Sequence, residues 1–207
     1  MSRSAIAVVG SPLIDSTAGL AATIAVAVAR ADQMSCLLVE TVPDDSAHRS
    51  PTLLASAEAR AIETRLRDVG LESASRGHIC SISLTEERWE EVGPLALVEL
   101  AIPSRVVFSF GSEVPYRRIS ELGDEIAGCI VSLDLPAERP LGALVAAEML
   151  DRGIPVKVTG RQPGPVATRR ALAGVMPGGA AEQYAQRTVA HLARQRRHGG
   201  EQVSEPR

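Results

Sequence analysis

Apolar runs of four to six residues alternate along the chain with longer amphipathic stretches. The short runs are rich in Val, Ile and Leu, which predicts β-strands at residues 5–9, 36–39, 79–84, 105–110, 129–133 and 155–158. In the longer stretches apolar residues recur every three or four positions, which predicts helices at residues 16–30, 50–69, 95–102, 116–126, 140–152 and 166–175. The alternation indicates an α/β fold, with a doubly wound, mainly parallel sheet of five to six strands and helices on both faces.

Two of the predicted helices have apolar sides that we expect in the core. One begins at Ser50 and Pro51, a capping hydroxyl followed by proline at the first helical position, and the other begins at Pro140. The expected core positions are Leu54, Ile62, Leu66 and Val69 in the first helix, and Leu141, Leu144, Val145 and Met149 in the second.

The length of 207 residues suits a single domain. We assign residues 1–178 to one α/β domain. Residues 179–198 form a separate C-terminal helix, because the turn at 177–179 interrupts the pattern. Residues 199–207 form a polar, disordered tail.

The composition narrows the class of protein. Aromatic residues make up only 2% of the chain, so Ala, Val, Leu and Ile must build the core. The net charge of −3 exerts no overall attraction on nucleic acid or anionic lipid. Cys36, Cys80 and Cys129 lie singly in apolar segments, which favours buried thiols in a reducing compartment. No signal peptide or membrane span is evident, so we expect a cytoplasmic protein.

The loop after the first strand is laid out like the nucleotide-binding end of a P-loop ATPase. The segment Gly10-Ser11-Pro12-Leu13-Ile14-Asp15-Ser16-Thr17 joins an apolar strand to an Ala-rich helix. A working P-loop has the pattern G-x-x-x-x-G-K-[ST], whose lysine reaches the terminal phosphates. Here Asp15 precedes the Ser-Thr pair, and the only lysine is Lys157. Backbone amides at Gly10, Ser11, Asp15, Ser16 and Thr17 can still attract an anion, although Asp15 or Ser16 as a simple helix cap is the favoured interpretation.

Other strand ends offer carboxylates. Glu40, Asp44 and Asp45 follow the second strand, and Glu113 and Asp134 follow two later ones. They can hold Mg²⁺ or a ligand, or serve as solvated turn formers. The strand at 105–110 carries Ser109 where an ATPase usually places a metal-linked Asp.

The C-terminal helix contains a basic cluster, formed by Arg187, Arg194, Arg196 and Arg197. Such a cluster can contact nucleic acid or a membrane surface. Nearby glutamates dilute its charge, so we favour a solvated helix and expect neither nucleic-acid nor peripheral membrane contact.

The order of elements resembles that of the MinD/ParA family of deviant-Walker P-loop ATPases, with the CpaE-like and septum-site-determining branch nearest. The resemblance spans residues 5–175 and is visible at residues 5–30, 36–40, 106–112, 130–133 and 156–161. In the family the last segment ends in an Asn-Arg pair that contacts the base. This chain has Gly160 and Arg161 there.

The resemblance implies a P-loop fold, Mg-ATP as cofactor and a dimer, but both family lysines, the Walker-B acid and the base-contact Asn are missing. We therefore expect a catalytically inactive pseudo-ATPase, with no catalytic residues and no resident cofactor or metal. It would act through contacts with a homologous subunit or an intact ATPase, in cell division, positioning, or secretion and pilus assembly. Two alternatives stay open. One is a small-molecule-binding or metal-assisted α/β enzyme of another family, and the other is a weak nucleic-acid-binding module that uses the Arg-rich helix.

Overall fold

A seven-stranded sheet organises the chain. The structure, a computed structural model, describes residues 4–10, 16–41, 54–110, 115–132, 139–160 and 162–201. The strands are β1 (Ala5–Val9), β2 (Cys36–Thr41), β3 (Ala74–Arg76), β4 (Ile79–Leu84), β5 (Arg105–Phe110), β6 (Ile126–Ser132) and β7 (Val156–Thr159). Their order across the sheet is β3-β4-β2-β5-β1-β6-β7, and every neighbouring pair except β3 and β4 is parallel. The predicted doubly wound fold is confirmed.

The sequence pattern missed one strand. β3 has only three residues and pairs antiparallel with β4 at the edge of the sheet. Its sequence, Ala-Ser-Arg, has no run of β-branched residues, so only the register with β4 makes it a strand.

The helices cover both faces of the sheet. They are α1 (Ser16–Asp32), α2 (Ala57–Asp68), α3 (Glu86–Val92), α4 (Pro94–Ala101), α5 (Pro115–Leu122), α6 (Arg139–Asp151), α7 (Pro165–Leu172) and α8 (Gly179–Glu201). A short 3-10 turn, Gly123–Glu125, joins α5 to β6. α8 therefore continues past residue 199, where we predicted disorder, and residues 202–207 lie outside the described part of the chain.

Some predicted boundaries and core positions were wrong. α2 begins after Ser56, whose side chain accepts a hydrogen bond from the Ala59 amide, and not at Ser50, which lies outside the described residues. Leu54 is 98% exposed because its segment pairs with Gly77 instead of joining the helix. Val69 caps the C-terminus of α2 and is exposed.

Later in the chain, two further expectations fail and two hold. The predicted helix at 116–126 ends at Leu122, because the chain turns there and residue 126 already starts β6. On α6, Val145 and Met149 are buried as predicted, whereas Leu144 is 62% exposed. The side chain of Leu141 lies outside the described residues.

Two hydrophobic layers enclose the sheet. Odd-numbered residues of β2, such as Leu37 and Val39, belong to one layer with α2 to α6, and even-numbered residues belong to the other with α1, α7 and α8. In the first layer the indole of Trp89 meets the rings of Phe108 and Phe110 edge-on, both at 5.5 Å between centroids. Three of the five aromatic residues thus meet in one place, whereas Tyr184 packs against the second layer, and most of the rest of both layers is aliphatic.

All three cysteines are free thiols buried in these layers, as predicted. Burial raises the pKa of the Cys80 thiol to about 11 and that of Cys129 to about 12, and it also raises the pKa of Cys36. These thiols are therefore inert core groups. Among the described helices, none combines the length and apolarity needed to cross a membrane.

The C-terminal helix α8 packs on the sheet. Ala185, Thr188 and Leu192 are buried against α1 and β6, whereas Arg187 and Arg194 point away from this contact and are exposed. The division into one domain and a separate terminal helix stays a prediction, but the described part of α8 shares the second hydrophobic layer.

We predict that Leu192→Ala lowers the free energy of unfolding by about 2–3 kcal/mol, because it leaves a cavity between α8 and β6. Chemical denaturation measures this loss. Arg194→Ala, two residues along the same helix and exposed, is the control and should change stability by no more than about 0.5 kcal/mol. Equal stabilities of the two variants would contradict the packing of α8 on the sheet.

Candidate functional site

The carboxyl ends of the central strands form the edge of the sheet where a ligand is expected. β1 lies between β5 and β6, and α1 begins just after it, so the ends of β2, β5, β1 and β6 are neighbours there. The predicted nucleotide loop starts at this edge. Of that loop, Ser11 and Asp15 lie outside the described residues, and Ser16 is the first residue of α1.

Gly10 and Thr17 are in close contact where β1 passes into α1. A methyl group at the Gly10 α-carbon would overlap the Thr17 hydroxyl, so only glycine allows this approach. Thr17 is buried, and its Oγ1 has no hydrogen-bond partner among the described residues. In a P-loop the equivalent hydroxyl binds Mg²⁺, so the orphaned oxygen is a described feature that suits a metal.

A row of side chains crosses the sheet next to this junction. Val8 is in register with Ser109 of β5, Ser109 with Glu40 of β2, and Glu40 with Ser83 of β4. Residues in register point to the same face, and Leu38 and Val107, two positions earlier, pack in the α1 layer. Ser109 is buried, so β5 presents a hydroxyl at the position where an ATPase usually places an acid, and the carboxylate lies one strand away at Glu40.

Glu40 is the one predicted carboxylate whose surroundings the structure describes. Asp44, Asp45, Glu113 and Asp134 all lie outside the described residues. The Glu40 Oε1 atom is buried and has no hydrogen-bond partner within the described structure, and burial raises the pKa of its carboxyl to about 6. No cation is among the causes of this shift. Glu40 is therefore a carboxylate without a described counter-ion.

The segment after β7 crosses the carboxyl end of the sheet. Gly160 is exposed and Arg161 lies outside the described residues, so the base-contact prediction stays untested. Gln162, which the sequence pattern did not single out, donates from Nε2 to the Ser132 hydroxyl at the end of β6. Its Oε1 is buried without a partner in the described region. The chain then enters α7, which packs on α1.

The predicted basic cluster is only partly described. Arg187 and Arg194 are exposed on α8. Arg196 and Arg197 also lie in α8, but their side chains are outside the described part of the structure. Glu182 on the same helix pairs with Arg30 of α1 at 3.1 Å. The structure therefore uses an acidic residue of α8 to join it to α1, and it does not bring the described arginines to the strand ends.

A cleft of about 840 Å³ opens beside Glu40, on the outer side of α7. Its lining includes Leu38, Ser81 and Ser83 from the sheet, and Arg76 and Arg169, which the sequence pattern did not identify. No local motif marks these two arginines, because one lies on the unpredicted strand β3 and the other on α7.

Comparisons with known proteins support the fold. No family model matches the sequence, and no curated protein matches it. The crystal structure of a ParA family ATPase from Chlorobium tepidum TLS aligns with 92% of this chain and 100% of its own, with a TM-score of 0.55 and 13% sequence identity. At this identity the likeness shows the fold alone. The chain therefore has the P-loop NTPase-like fold of that ATPase.

We predict that Glu40→Gln stabilises the protein near neutral pH. Because the folded-state pKa of about 6 exceeds the ordinary value of 4.5, the folded protein holds this proton more tightly, and stability falls as pH rises through that window. The variant should gain about 1 kcal/mol at about pH 7.5, allowing for the partial exposure of the residue, and nothing at about pH 4. Denaturant titrations at both pH values measure it.

The control for this prediction is Glu99→Gln, which changes an exposed carboxylate on α4. It should show no comparable gain. A Glu40→Gln variant that is less stable than the parent at about pH 7.5 would contradict an unpaired carboxylate at this position.

Proposed function

We propose that this chain is a non-hydrolysing relative of ParA-type ATPases that acts through protein contacts. The observation that carries the proposal is the position of its single lysine. Lys157 lies on the edge strand β7, and β6 separates that strand from β1, where the P-loop would begin. In the register Lys157 is level with Ile130 and Val8, two residues before Gly10. Two strand spacings amount to roughly 10 Å, so Lys157 does not stand in the loop that holds phosphates.

The metal side of the site supports the same proposal. Mg²⁺ bound with a nucleotide needs carboxylate oxygens as well as a hydroxyl. β5 ends in buried Ser109 instead of an acid, and Asp15 would place a negative charge in the phosphate loop. Glu40, the described carboxylate of the row, lies two strands away from β1, so the Thr17 hydroxyl by itself does not make a metal site. The residues present therefore do not fit Mg-ATP as a hydrolysed substrate, and we assign no catalytic step to it.

A P-loop-like fold that lacks the phosphate-binding lysine and the metal-binding acid favours a binding role. Members of the family that the sequence resembles work in dimers, so we propose a homologous subunit, either a second copy or an intact ATPase, as partner. The settings that follow from the resemblance are cell division, positioning, or secretion and pilus assembly in the cytoplasm, and the CpaE-like branch is the proposed relationship. The buried free thiols agree with a reducing compartment.

A second candidate function is supported by a separate observation. The Glu40 Oε1 atom is buried without a partner among the described residues, and it lies at the rim of a cleft large enough for a metabolite. This favours small-molecule binding by an α/β protein, with or without nucleotide.

We predict that the purified full-length protein turns over ATP at less than about 0.01 per second with excess Mg²⁺, because no lysine reaches the phosphates. Phosphate release measured by a coupled assay gives the rate. A ParA-type ATPase that retains its P-loop lysines is the positive control. Turnover at or above that rate, reproduced in protein purified by a second route, would refute the proposal.

We predict that the protein forms a specific complex with a homologous subunit. Light scattering on the purified chain should give twice the monomer mass of 21.8 kDa, or the monomer should co-elute with a ParA-type ATPase of the same organism. A monomer that stays separate from every such ATPase in the genome would contradict the proposed partner while leaving the lack of ATP turnover unaffected.

A further inference from the structure

The cleft beside Glu40 lies over the outer strands of the sheet, away from the start of α1, and residues of α2 in the other layer also line it. Leu38 of β2 and Ile79, Ser81 and Ser83 of β4 line it from the sheet, and Arg169, Ala171 and Leu172 line it from α7. Its volume of about 840 Å³ falls in the range typical of small-molecule sites. The cleft is therefore distinct from the P-loop junction between β1 and α1.

One end of the cleft is basic. Arg76 is in register with Ile79, so its side chain shares the face of the sheet that α7 covers. Its Nη1 donates to the carbonyl oxygen of Leu172 at 3.4 Å, while its Nε is buried without a partner among the described residues. Arg169 lies one helical turn before Leu172 and is exposed at the mouth of the cleft. Two guanidinium groups thus have donors available at this end.

The opposite end is acidic. Glu40 is in register with Ser83, which lies four residues along β4 from Ile79. At about 3.3 Å per residue, Glu40 is about 13 Å from Arg76 along the strands. Because β4 lies between β2 and β3, the two residues are also about 10 Å apart across the sheet, so their backbones are about 16 Å apart. The arginines are too far away to pair with the Glu40 carboxyl, and burial raises the pKa of that carboxyl to about 6. The two ends carry separate charges.

The floor between the ends is mixed. Ser81 donates to the Ala74 carbonyl oxygen and keeps its own oxygen as an acceptor, and Leu38 lies beside it on β2. At the outer rim Arg67 and Glu63 pair with each other at 3.2 Å, so their charges cancel locally. Hydroxyl groups on a partly apolar floor suit a ligand that alternates polar and apolar groups.

We propose that this cleft binds a short extended peptide with free termini, whose ammonium group contacts Glu40 and whose carboxylate contacts Arg76 and Arg169. Three observations converge on this class of ligand: a carboxylate oxygen and a guanidinium nitrogen that have no partner among the described residues, and a separation that about four to five extended residues span. Peptide N–H and C=O groups would meet the serine hydroxyls of the floor. The proposal does not depend on whether the protein hydrolyses ATP.

Calorimetric titration of the full chain with tetra-alanine tests the proposal, with di-alanine as the short probe. We expect tetra-alanine to bind at least about tenfold more tightly than di-alanine, since only the longer peptide reaches both ends. N-acetyl-tetra-alanine and tetra-alanine amide, which each lack one terminal charge, should also bind at least about tenfold more weakly. No heat with tetra-alanine, or equal affinities for all four probes, would overturn the proposal.

Single substitutions test which residues of the cleft bind the ammonium group and the carboxylate of the peptide. Glu40→Gln should abolish the preference for tetra-alanine over its N-acetyl form, and Arg76→Gln should abolish the preference over the amide. Arg169→Gln is the second test of the basic end if Arg76→Gln fails to fold, because Arg169 is exposed. The matched controls, Glu99→Gln and Arg88→Gln, lie on α4 and α3 outside the cleft and should bind like the parent. A folded Glu40→Gln protein that still discriminates against the N-acetyl form would overturn the assignment.

Discussion

The burial of α1 on nearly all sides is the constraint on which the rest of this structure depends. Every residue from Leu20 to Ala29 is at most 7% exposed. The helix contacts the sheet, α7 and α8. Only small side chains allow three neighbours to approach so closely, which explains the run of alanines. At Gly19 a methyl group would overlap the side chain of Thr168, so α7 lies directly against the helix. Few residues in the middle of α1 can therefore be replaced by larger ones without displacing a neighbour.

This packing also positions the chemistry. Since α1 covers the centre of the sheet and α7 packs beside it towards the outer strands, the face is divided into two places. One is the junction of Gly10 and Thr17, where nucleotide chemistry belongs in the related fold. The other is the cleft between α7 and the strands β2 and β4. At the first place the described residues offer a hydroxyl without a carboxylate partner, and at the second they offer separated charges of both signs.

Glu40 places an ionisable carboxyl group at the rim of the cleft. The Oε1 atom of its carboxyl is buried without a counter-ion among the described residues, and this burial raises the pKa of the group to about 6, which costs stability at neutral pH. Groups of this kind are concentrated at functional sites, where stability is exchanged for an unpaired polar atom that a ligand can satisfy. The neighbouring residues in register, Ser83 and Ser109, carry hydroxyl groups and no positive charge. They therefore do not neutralise the Glu40 carboxylate.

The sequence by itself determined the α/β alternation, the positions of six strands, the burial of the cysteines and the lack of a lysine in the phosphate loop. These features follow from local periodicity and residue type. Only the tertiary structure decided the strand order, the strand β3, the exposure of Leu54 and Leu144, and the packing of α8 on α1. It also placed Glu40 and Arg76 in one cleft, although they are distant in sequence. The physical reason is that register and helix packing join residues far apart in the chain, and a local pattern carries no information about which distant partner each residue meets.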